Sequence, residues 1–390
     1  MKRSSKKRLS MKIDSIYIGL HRVGIPTQGV KLLLLLLLVV LPAFASEPAQ
    51  KEGNETAKEE KFNPGEFIFG HIGDAYSWHV TKFGKTEISI PLLILAKSQS
   101  RGWFVFSSAK FHHGESAYQG FEIASEGSFK GKLVEVLQDG QQIRPLDLSI
   151  TKNVASLLIS AMLLLWIFLS LAKFYRRDPM KAPSGFQGAI EFVIVFMLDE
   201  VIKPGVGKGY AKYAPYLLTL FFFILINNML GIIPLFPGGA NLTGNIATTM
   251  VLAVLSLLII NVFANKEYWK EIFLVPTMPS WLRFPIPLMP FLELVSVFTK
   301  PLALCIRLFA NMLAGHMIAM VFMAMIFIFG AISPLMGTGV SIFALFFAIF
   351  MNLLELLVIF LQAYVFTMLT SFFIGMAHPE PHEVHAVAHQ

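Results

Sequence analysis

The sequence predicts an all-α polytopic membrane protein of about five membrane helices, the last two forming a long inclined hairpin, preceded by an N-terminal extracytoplasmic β-rich domain. Of the 390 residues, 55% are hydrophobic and only 15% are charged, whereas soluble domains carry about 25% charged residues. Several apolar runs are long enough to cross a bilayer, which takes about 20 residues of helix. Residues 62–150 alone have an ordinary composition, with short β-type runs between turns.

The net charge of +7 belongs to the first 45 residues. They hold eight Lys or Arg and one acid, Asp14, so the rest of the chain sums to zero. A basic surplus confined to the N-terminus is not a nucleic-acid-binding face, and we expect no nucleic-acid partner. The single cysteine, Cys305, excludes an internal disulfide and a multi-cysteine metal cluster. The histidines between residues 71 and 113 fit no standard ligand spacing, so no metal or cofactor is predicted.

Residues 1–45 have the features of a secretory signal peptide. A basic segment precedes an apolar run of ten residues, 32–41, and an Ala-x-Ala cleavage pattern at Ala43 and Ala45. Ten apolar residues are too few to span a bilayer core of about 30 Å, although an uncleaved anchor is the alternative. Residues 46–61 form a charged linker with little to bury. Residues 62–150 form the extracytoplasmic domain, with strand-like runs at 86–95, 103–106 and 133–137.

Residues 151–377 form the membrane domain. Spans are predicted at 154–172, 216–236 and 246–264, and residues 184–201 form an amphipathic helix at the interface. The loops 173–212 and 265–283 hold seven and three basic residues, whereas the turn 237–245 holds none. The positive-inside rule therefore places both loops in the cytoplasm and the turn outside. The signal peptide independently places residues 46–150 outside.

The last third of the chain contains two apolar runs that are too long for simple spans. Residues 286–332 and 340–377 comprise 47 and 38 residues, or helices of about 70 and 57 Å, roughly twice the bilayer core. Each run either divides into two spans or belongs to a strongly inclined hairpin. No Gly/Pro-rich break with flanking charges divides either run, apart from Pro301, so we favour the hairpin. A His-rich C-terminal tail, residues 378–390, follows.

These long helices carry ionisable residues where lipid is expected, and such residues are functional candidates because each is costly unless it faces protein or water. Four polar residues of the penultimate helix lie within about 40° of Arg307 on the helical wheel. They are Glu293, Ser296, Lys300 and Asn311. His316 follows Arg307 by nine residues, which places it about 180° round the helix and about 13 Å along it.

On the final helix, Glu355 and Gln362 are seven residues apart and share one face. In an antiparallel hairpin, Gln362 approaches Arg307 and Glu355 approaches His316, because the residue later in one helix meets the residue earlier in the other. We therefore expect two distinct polar pairs along the hairpin.

The same residues also have structural interpretations. Glu293 and Lys300 lie toward the cytoplasmic end, where long side chains reach the interface. Asparagines of the second span and of the turn that follows it serve to join helices or to cap them; they are Asn227, Asn228, Asn241 and Asn245. Arg307 could form a structural salt bridge with a distant Glu, but a voltage sensor needs repeated arginines and only one is present.

Four stretches resemble subunit a of F-type ATP synthases. Residues 291–311 (FLELVSVFTKPLALCIRLFAN) resemble its arginine helix, and residues 356–370 (LLVIFLQAYVFTMLT) resemble its last helix. Residues 221–234 (FFFILINNMLGIIP) and 242–249 (LTGNIATT) are similar to its second and third spans. The resemblance covers about residues 150–377, and the Arg-Leu-Phe-x-Asn element is highly specific.

The resemblance implies a role for each matching residue. Arg307 matches the arginine that faces the ion-carrying carboxylate of a rotating c-ring, Asn311 the asparagine one turn on, and Gln362 the glutamine beside the arginine. His316 and Glu355 match a coupled pair of the outer half-channel, which in some members has the order Glu then His. The residues that match the lining of the same outer half-channel are Asn228, Asn241 and Asn245. The inner half-channel side comprises Glu293, Ser296 and Lys300.

The function implied is that of a proton-translocating, non-catalytic stator subunit of ATP synthase. Its implied partners are the c-ring, subunit b of the peripheral stalk, the rest of the complex and membrane lipids, in a bacterial inner membrane with the C-terminus cytoplasmic. The alternative is a stand-alone secondary transporter or ion channel in which Arg307 binds an anion; it predicts internal repeats, and none is found. Residues 46–150 are far larger than the family's short outer tail, and the resemblance implies nothing about their role.

Overall fold

A computed structural model describes residue 65 and residues 73–378, apart from positions 84–85, 99–100, 115, 125–126, 138–140, 178–179, 181–182, 234–237 and 275–287. The predicted signal peptide, the linker at 46–61 and all but the first residue of the C-terminal tail lie outside the described residues. The described part is mostly helical, with small sheets before the first helix.

Eight short strands form three small antiparallel sheets, with the orders β1-β2, β4-β3-β8 and β5-β6-β7. Their bounds are β1 Ser77–Phe83, β2 Thr86–Pro91, β3 Leu93–Ser98, β4 Gly102–Ser107, β5 Phe121–Ile123, β6 Leu133–Val136, β7 Gln142–Ile143 and β8 Leu146–Asp147. The three strand-like runs predicted from sequence all coincide with strands. The run predicted at 86–95 is two strands, since the chain passes from one sheet to the next at Leu92.

The sheets enclose a small apolar core. Along β3 the buried positions Ile94 and Ala96 alternate with the exposed Leu93, as expected for a strand that covers a core with one face. The rings of Phe106 and Phe111 pack edge to face with centroids 5.5 Å apart. This core gives the domain an interior separate from the apolar cluster of the helices.

Eight helices follow, and most are apolar enough to belong to a membrane domain. Their bounds are α1 Lys152–Arg177, α2 Phe186–Phe196, α3 Lys203–Val206, α4 Tyr210–Ile232, α5 Ile246–Val262, α6 Lys266–Leu274, α7 Leu288–Ile332 and α8 Pro334–Met376. Four helical runs of the described residues are long and apolar enough to cross a membrane, and α5 is a shorter apolar helix. The multi-pass organisation predicted from sequence is therefore confirmed.

The second predicted span begins earlier than expected. Helix continues from α2 through a π-helical segment, Met197–Ile202, into α3, and α4 begins at residue 210 rather than at 216. α3 ends just before Gly207, whose φ of 81° lies in the left-handed region that favours glycine. A 3₁₀ turn, Gly207–Gly209, then leads into α4. The predicted position of the amphipathic helix at the membrane interface stays a prediction.

The last two helices are unbroken. α7 and α8 contain 45 and 43 residues, or lengths of about 68 and 65 Å, so the alternative of two spans in each run is wrong. The prediction that the final helix begins at residue 340 is also wrong. It begins at Pro334, because proline at the first helical position has its φ preset and needs no hydrogen bond there.

The hairpin lies at the side of the helical bundle. Within the most apolar 18-residue stretch of each helix, 12% of the residues of α7 and 17% of those of α8 are buried. The corresponding share for the run from α2 to α4 is 56%. The bundle interior is built from residues of several helices, among them Phe221 and Phe222 of α4 and Leu308 of α7. The hairpin therefore presents a wide apolar surface away from its own chain.

The β-rich domain contacts one end of the bundle. Trp78 Nε1 donates a hydrogen bond of 3.2 Å to the carbonyl of Gly238, in the turn between α4 and α5. The backbone N–H of Lys152, at the start of α1, donates to the carbonyl of Ala75 at 2.8 Å. The domain and this turn therefore share the same end of the bundle, as the sequence predicts.

Candidate functional site

Contacts along the hairpin define its register. The rings of Phe322 and Phe347 stack with centroids 5.7 Å apart, and Lys300 Nζ lies 5.5 Å from the ring centroid of Phe373. Both pairs run in opposite order along the two helices, so α7 and α8 are antiparallel over this length. The contact between Lys300 and Phe373 and the contact between His316 and Glu355, described next, lie on either side of Arg307. Interpolation between them places Arg307 level with residues 364–365 of α8. Arg307 is therefore within about 5 Å of Gln362 along the helix axis.

The central feature of the hairpin is an acid–imidazole pair. His316 Nδ1 lies 3.2 Å from Glu355 Oε1, and the two side chains are only 12% and 9% exposed. The other ring nitrogen, Nε2, lies 3.1 Å from the carbonyl of Gly231 on α4. Three helices thus meet at this pair.

The two groups of this pair are an acid and an imidazole. A carbonyl oxygen only accepts, so Nε2 is the donor toward Gly231, and Nδ1 faces the carboxylate. The contact between Nδ1 and Oε1 is within ion-pair distance but is not a hydrogen bond. The pair therefore places two side chains of the kinds that transfer protons next to each other.

A glycine makes room for the carboxylate. A Cβ placed on Gly315 would lie 2.9 Å from Glu355 Oε1 and 3.1 Å from its Cδ, closer than side chains tolerate. The sequence analysis missed Gly315. Its only sequence signal is a glycine inside an apolar helix, which usually has a packing or functional reason.

Arg307 lies on the exposed surface of the hairpin, on the side away from the pair. Its neighbours Ile306 and Leu302 are also exposed. Arg307 forms no hydrogen bond or ion pair with any residue that the structure describes. The salt bridge to a distant Glu of this chain is therefore absent among the described residues. An ionisable side chain on an apolar helix is a functional candidate.

The other predicted site residues of the hairpin are half-buried. Asn311, one turn after Arg307, and Gln362 both belong to this class. Toward the start of α7 the half-buried residues are Glu293, Ser296 and Lys300. Burial raises the pKa of the Tyr268 phenol on α6 above its ordinary value. The nearby charge of Glu293 is the second, smaller cause of this increase. The structure thus keeps these three residues apart from the His316–Glu355 pair.

A further polar cluster lies where α4 and α5 meet. Thr243 Oγ1 donates to Asn228 Oδ1, and both residues are buried. Asn241 accepts from the N–H of Gly244 at 2.8 Å and donates to the carbonyl of Met312 at 3.3 Å. Met312 lies one helical turn before His316, so the cluster leads toward the pair. The sequence analysis did not single out Thr243.

Asn245 is the N-cap of α5. Its side-chain oxygen accepts a hydrogen bond of 2.9 Å from the N–H of Ala247, which satisfies one of the unpaired donors at a helix start. The capping interpretation is thus correct for Asn245. Asn241 connects the turn before α5 to α7 through its bond to Met312.

The fold and the site define a class of protein: a polytopic membrane protein whose helical hairpin holds an acid–imidazole pair inside and presents an arginine, unpaired among the described residues, on its outer surface. A family model described as ATP synthase A chain matches residues 154–375. A second model, described as a domain of unknown function, matches residues 67–149.

Relatives agree with the first match. ATP synthase subunit a of Chlorobium phaeobacteroides is 40% identical over 245 residues, covering 62% of this chain and 68% of the relative. ATP synthase subunit a 2 of Chlorobaculum tepidum is 42% identical over 249 residues, with coverages of 63% and 68%. For ATP synthase subunit a of Myxococcus xanthus the values are 40%, 255 residues, 63% and 77%. The chain belongs to the ATP synthase A chain family, which confirms the resemblance seen in its motifs.

Proposed function

We propose that this chain is the proton-translocating stator subunit of an ATP synthase and has no catalytic site of its own. The observation that carries the proposal is Arg307, exposed on an apolar hairpin and unpaired among the described residues. Its proposed partner is the carboxylate of a c-ring that rotates past this surface. Gln362, at nearly the same level of the hairpin, and Asn311, one turn on, supply polar contacts beside the guanidinium.

Two half-channels bring protons to and from the ring in this proposal. The outer one ends at His316 and Glu355, whose buried contact brings a carboxyl and an imidazole together at 3.2 Å. Its lining is Asn228, Asn241 and Asn245. The inner half-channel has the lining Glu293, Ser296 and Lys300. The half-turn between Arg307 and His316 separates the fixed charge from the exchanging pair.

The fixed arginine makes proton flow depend on rotation. A protonated ring carboxylate is neutral and can face lipid, whereas next to Arg307 the charged form is stabilised, so the carboxyl pKa falls and the proton leaves. The same positive charge repels a proton that would cross directly. Each proton moved through 100 mV supplies about 2.3 kcal/mol, so several protons must be combined by rotation for each ATP.

The proposed setting is a bacterial inner membrane. The β-rich domain lies outside and the C-terminus in the cytoplasm, as the basic residues of the loops predict. Besides the c-ring, the proposed partners are subunit b of the peripheral stalk, the rest of the complex and the lipids around the exposed apolar surface of α7 and α8.

The test is Arg307→Ala in the assembled synthase, with ATP-driven proton pumping measured in vesicles. We expect pumping to fall to background while the complex stays assembled, because the ring carboxylate loses its counter-charge. Arg307→Lys is expected to restore little, since an ammonium lacks the planar fork of a guanidinium. The matched control is Ile306→Ala, an exposed neighbour on the same surface, which should pump normally. Normal coupled pumping by Arg307→Ala would refute the role.

A further inference from the structure

A polar cavity lies between the β-rich domain and the helical bundle. Its water-accessible volume is about 60 Å³, enough for several water molecules, since one needs about 10–15 Å³. Residues of both parts line it. The β-rich side and the segment after it contribute Asp74, Tyr76, Lys132, Arg144, Asp147, Ser149 and Thr151, and the helices and the turn contribute Asn153, Val154, Leu242, Asn245 and Thr248.

Two buried polar atoms of the lining have no protein partner. Asn153 Oδ1 and Thr248 Oγ1 form no hydrogen bond with any residue that the structure describes. The two residues are 7% and 0% exposed. Buried polar groups are nearly always hydrogen-bonded, to protein or to water, because an unsatisfied one is costly. The bundle side of the cavity is therefore built to be hydrated.

Asp74 lies at the junction between the two parts. Its Oδ1 accepts hydrogen bonds from the N–H of Asn153 at 3.0 Å and of Ala75 at 3.1 Å. Burial raises the pKa of this carboxyl above its ordinary value, while the Asn153 N–H and the Thr151 side chain, and then the charges of Lys152 and Lys132, act in the opposite direction. Asp74 is thus a carboxyl that takes up a proton at higher pH than a free aspartate.

Tyr76 holds a second carboxyl of the lining in place. Its hydroxyl donates to Asp147 Oδ2 and accepts from the N–H of Leu133 at 3.1 Å. Burial, followed by the charge of Asp147, raises the pKa of this phenol. Tyr76 therefore stays protonated and serves to orient Asp147 toward the cavity.

Polar groups continue from the cavity toward the hairpin. Asn245 and Thr248 of the lining begin α5, directly after the turn that holds Asn241 and Thr243. Thr243 donates to Asn228 Oδ1. The nitrogen of the same side chain, Asn228 Nδ2, is buried without a partner among the described residues. Asn241 donates to the carbonyl one turn before His316. A row of polar side chains thus joins the cavity to the level of the acid–imidazole pair.

We propose that this cavity is the outer mouth of the proton path, so that the β-rich domain is a hydrated vestibule through which hydronium ions reach His316 and Glu355, with Asp74 as a proton-exchanging group at its wall. The inference rests on the proposed function and assigns a role to the domain of unknown function. It also explains why both parts of the chain share the polar lining.

The experiment places a thiol in the cavity. Val154→Cys, in a background with Cys305→Ala, is assembled into the synthase and reconstituted in vesicles with the β-rich domain exposed. A cationic, membrane-impermeant thiosulfonate is added from that side, and proton flow is measured before and after. We expect modification to slow proton flow by about tenfold, because the adduct obstructs the water and adds a positive charge that repels hydronium.

The matched control is Val105→Cys, which is exposed on β4 and outside the cavity lining. It should be modified equally without loss of proton flow, and the Cys305→Ala parent should not respond to the reagent. If Val154→Cys is modified with no change in proton flow, or is not modified from this side, the vestibule is refuted.

A second variant does not depend on reagent access. Asp74→Asn keeps an oxygen that accepts from both N–H groups but cannot exchange a proton, so proton flow should fall several-fold and lose part of its dependence on external pH. Unchanged flow at every external pH would overturn the role of Asp74. If these tests fail while Arg307→Ala still abolishes coupled pumping, the vestibule is wrong and the stator function stands; if Arg307→Ala pumps normally, the stator function is wrong.

Discussion

At the level of single residues, the position of Arg307 and of His316 around α7 decides what each side chain can contact. Arg307 and His316 belong to the same helix, yet the first is exposed and the second faces Glu355 from within the bundle. Nine residues of helix place them on opposite sides. In the proposed function, the fixed charge and the group assigned to proton transfer are thereby kept apart without any break in the backbone.

Exchange of the acid and the imidazole tests the pair. His316→Ala and Glu355→Ala should each lower ATP-driven pumping by about a hundredfold, the magnitude typical of one positioned proton-transfer group. The double exchange, His316→Glu with Glu355→His, should recover to within about tenfold of the unmodified protein, because the contact needs one acid and one imidazole in either order. Proton pumping in vesicles is the measurement.

The control for this prediction is a polar residue of α8 outside the pair. Asn352→Ala removes an exposed polar side chain one turn before Glu355 and should leave pumping nearly normal. A double exchange that is no more active than the single alanine variants, although the complex assembles, would count against a proton-transfer role for this pair.

At the scale of elements, the close approach of α7 and α8 depends on glycine. A Cβ on Gly315 would meet the Glu355 carboxylate at 2.9 Å, whereas a Cβ on Gly330 of the same helix meets nothing within 4 Å. Gly315→Ala should therefore displace Glu355 from His316. We expect pumping to fall by about tenfold to a hundredfold, since small misplacements of reacting groups are costly.

Gly330→Ala is the matched control, with the same substitution in the same apolar helix, and it should pump normally. Assembly is checked by native electrophoresis for both variants. Equal pumping by Gly315→Ala and Gly330→Ala would show that the carboxylate position is not critical.

At the scale of the whole molecule, the β-rich domain and the bundle are joined through buried polar groups, and this makes stability depend on pH. The pKa of Asp74 is raised in the folded protein, so the folded state binds the proton more tightly than the unfolded chain does. This contribution is complete below the unfolded pKa of 3.8 and is lost as pH rises through the native pKa.

The thermal unfolding midpoint of the unmodified full chain should therefore fall as the pH rises from about pH 4. In Asp74→Asn this fall should be less steep. Asn cannot ionise and still accepts both hydrogen bonds. Glu122→Gln, on β5 within the domain, is the control and should keep the original pH dependence. An identical pH profile for Asp74→Asn and the unmodified chain would contradict the effect.

Much of the fold could be predicted because hydrophobicity and helical period are local properties. The apolar composition indicated the membrane class, the uninterrupted runs indicated two long helices, and the order of residues in an antiparallel hairpin indicated that Glu355 approaches His316. The prediction failed where a single backbone position decided the outcome. Pro334 started the last helix early, and Gly207 divided a continuous helical run.

Composition, period and motif were enough to establish a polytopic membrane protein of a recognisable family with a few polar residues in its apolar helices. Three-dimensional contacts were needed to show that Arg307 is exposed, that Gly315 leaves space for Glu355, and that the β-rich domain and the bundle line one polar cavity. These depend on contacts between residues far apart in the chain, such as Trp78 and Gly238, 160 positions apart. No local pattern encodes such a contact.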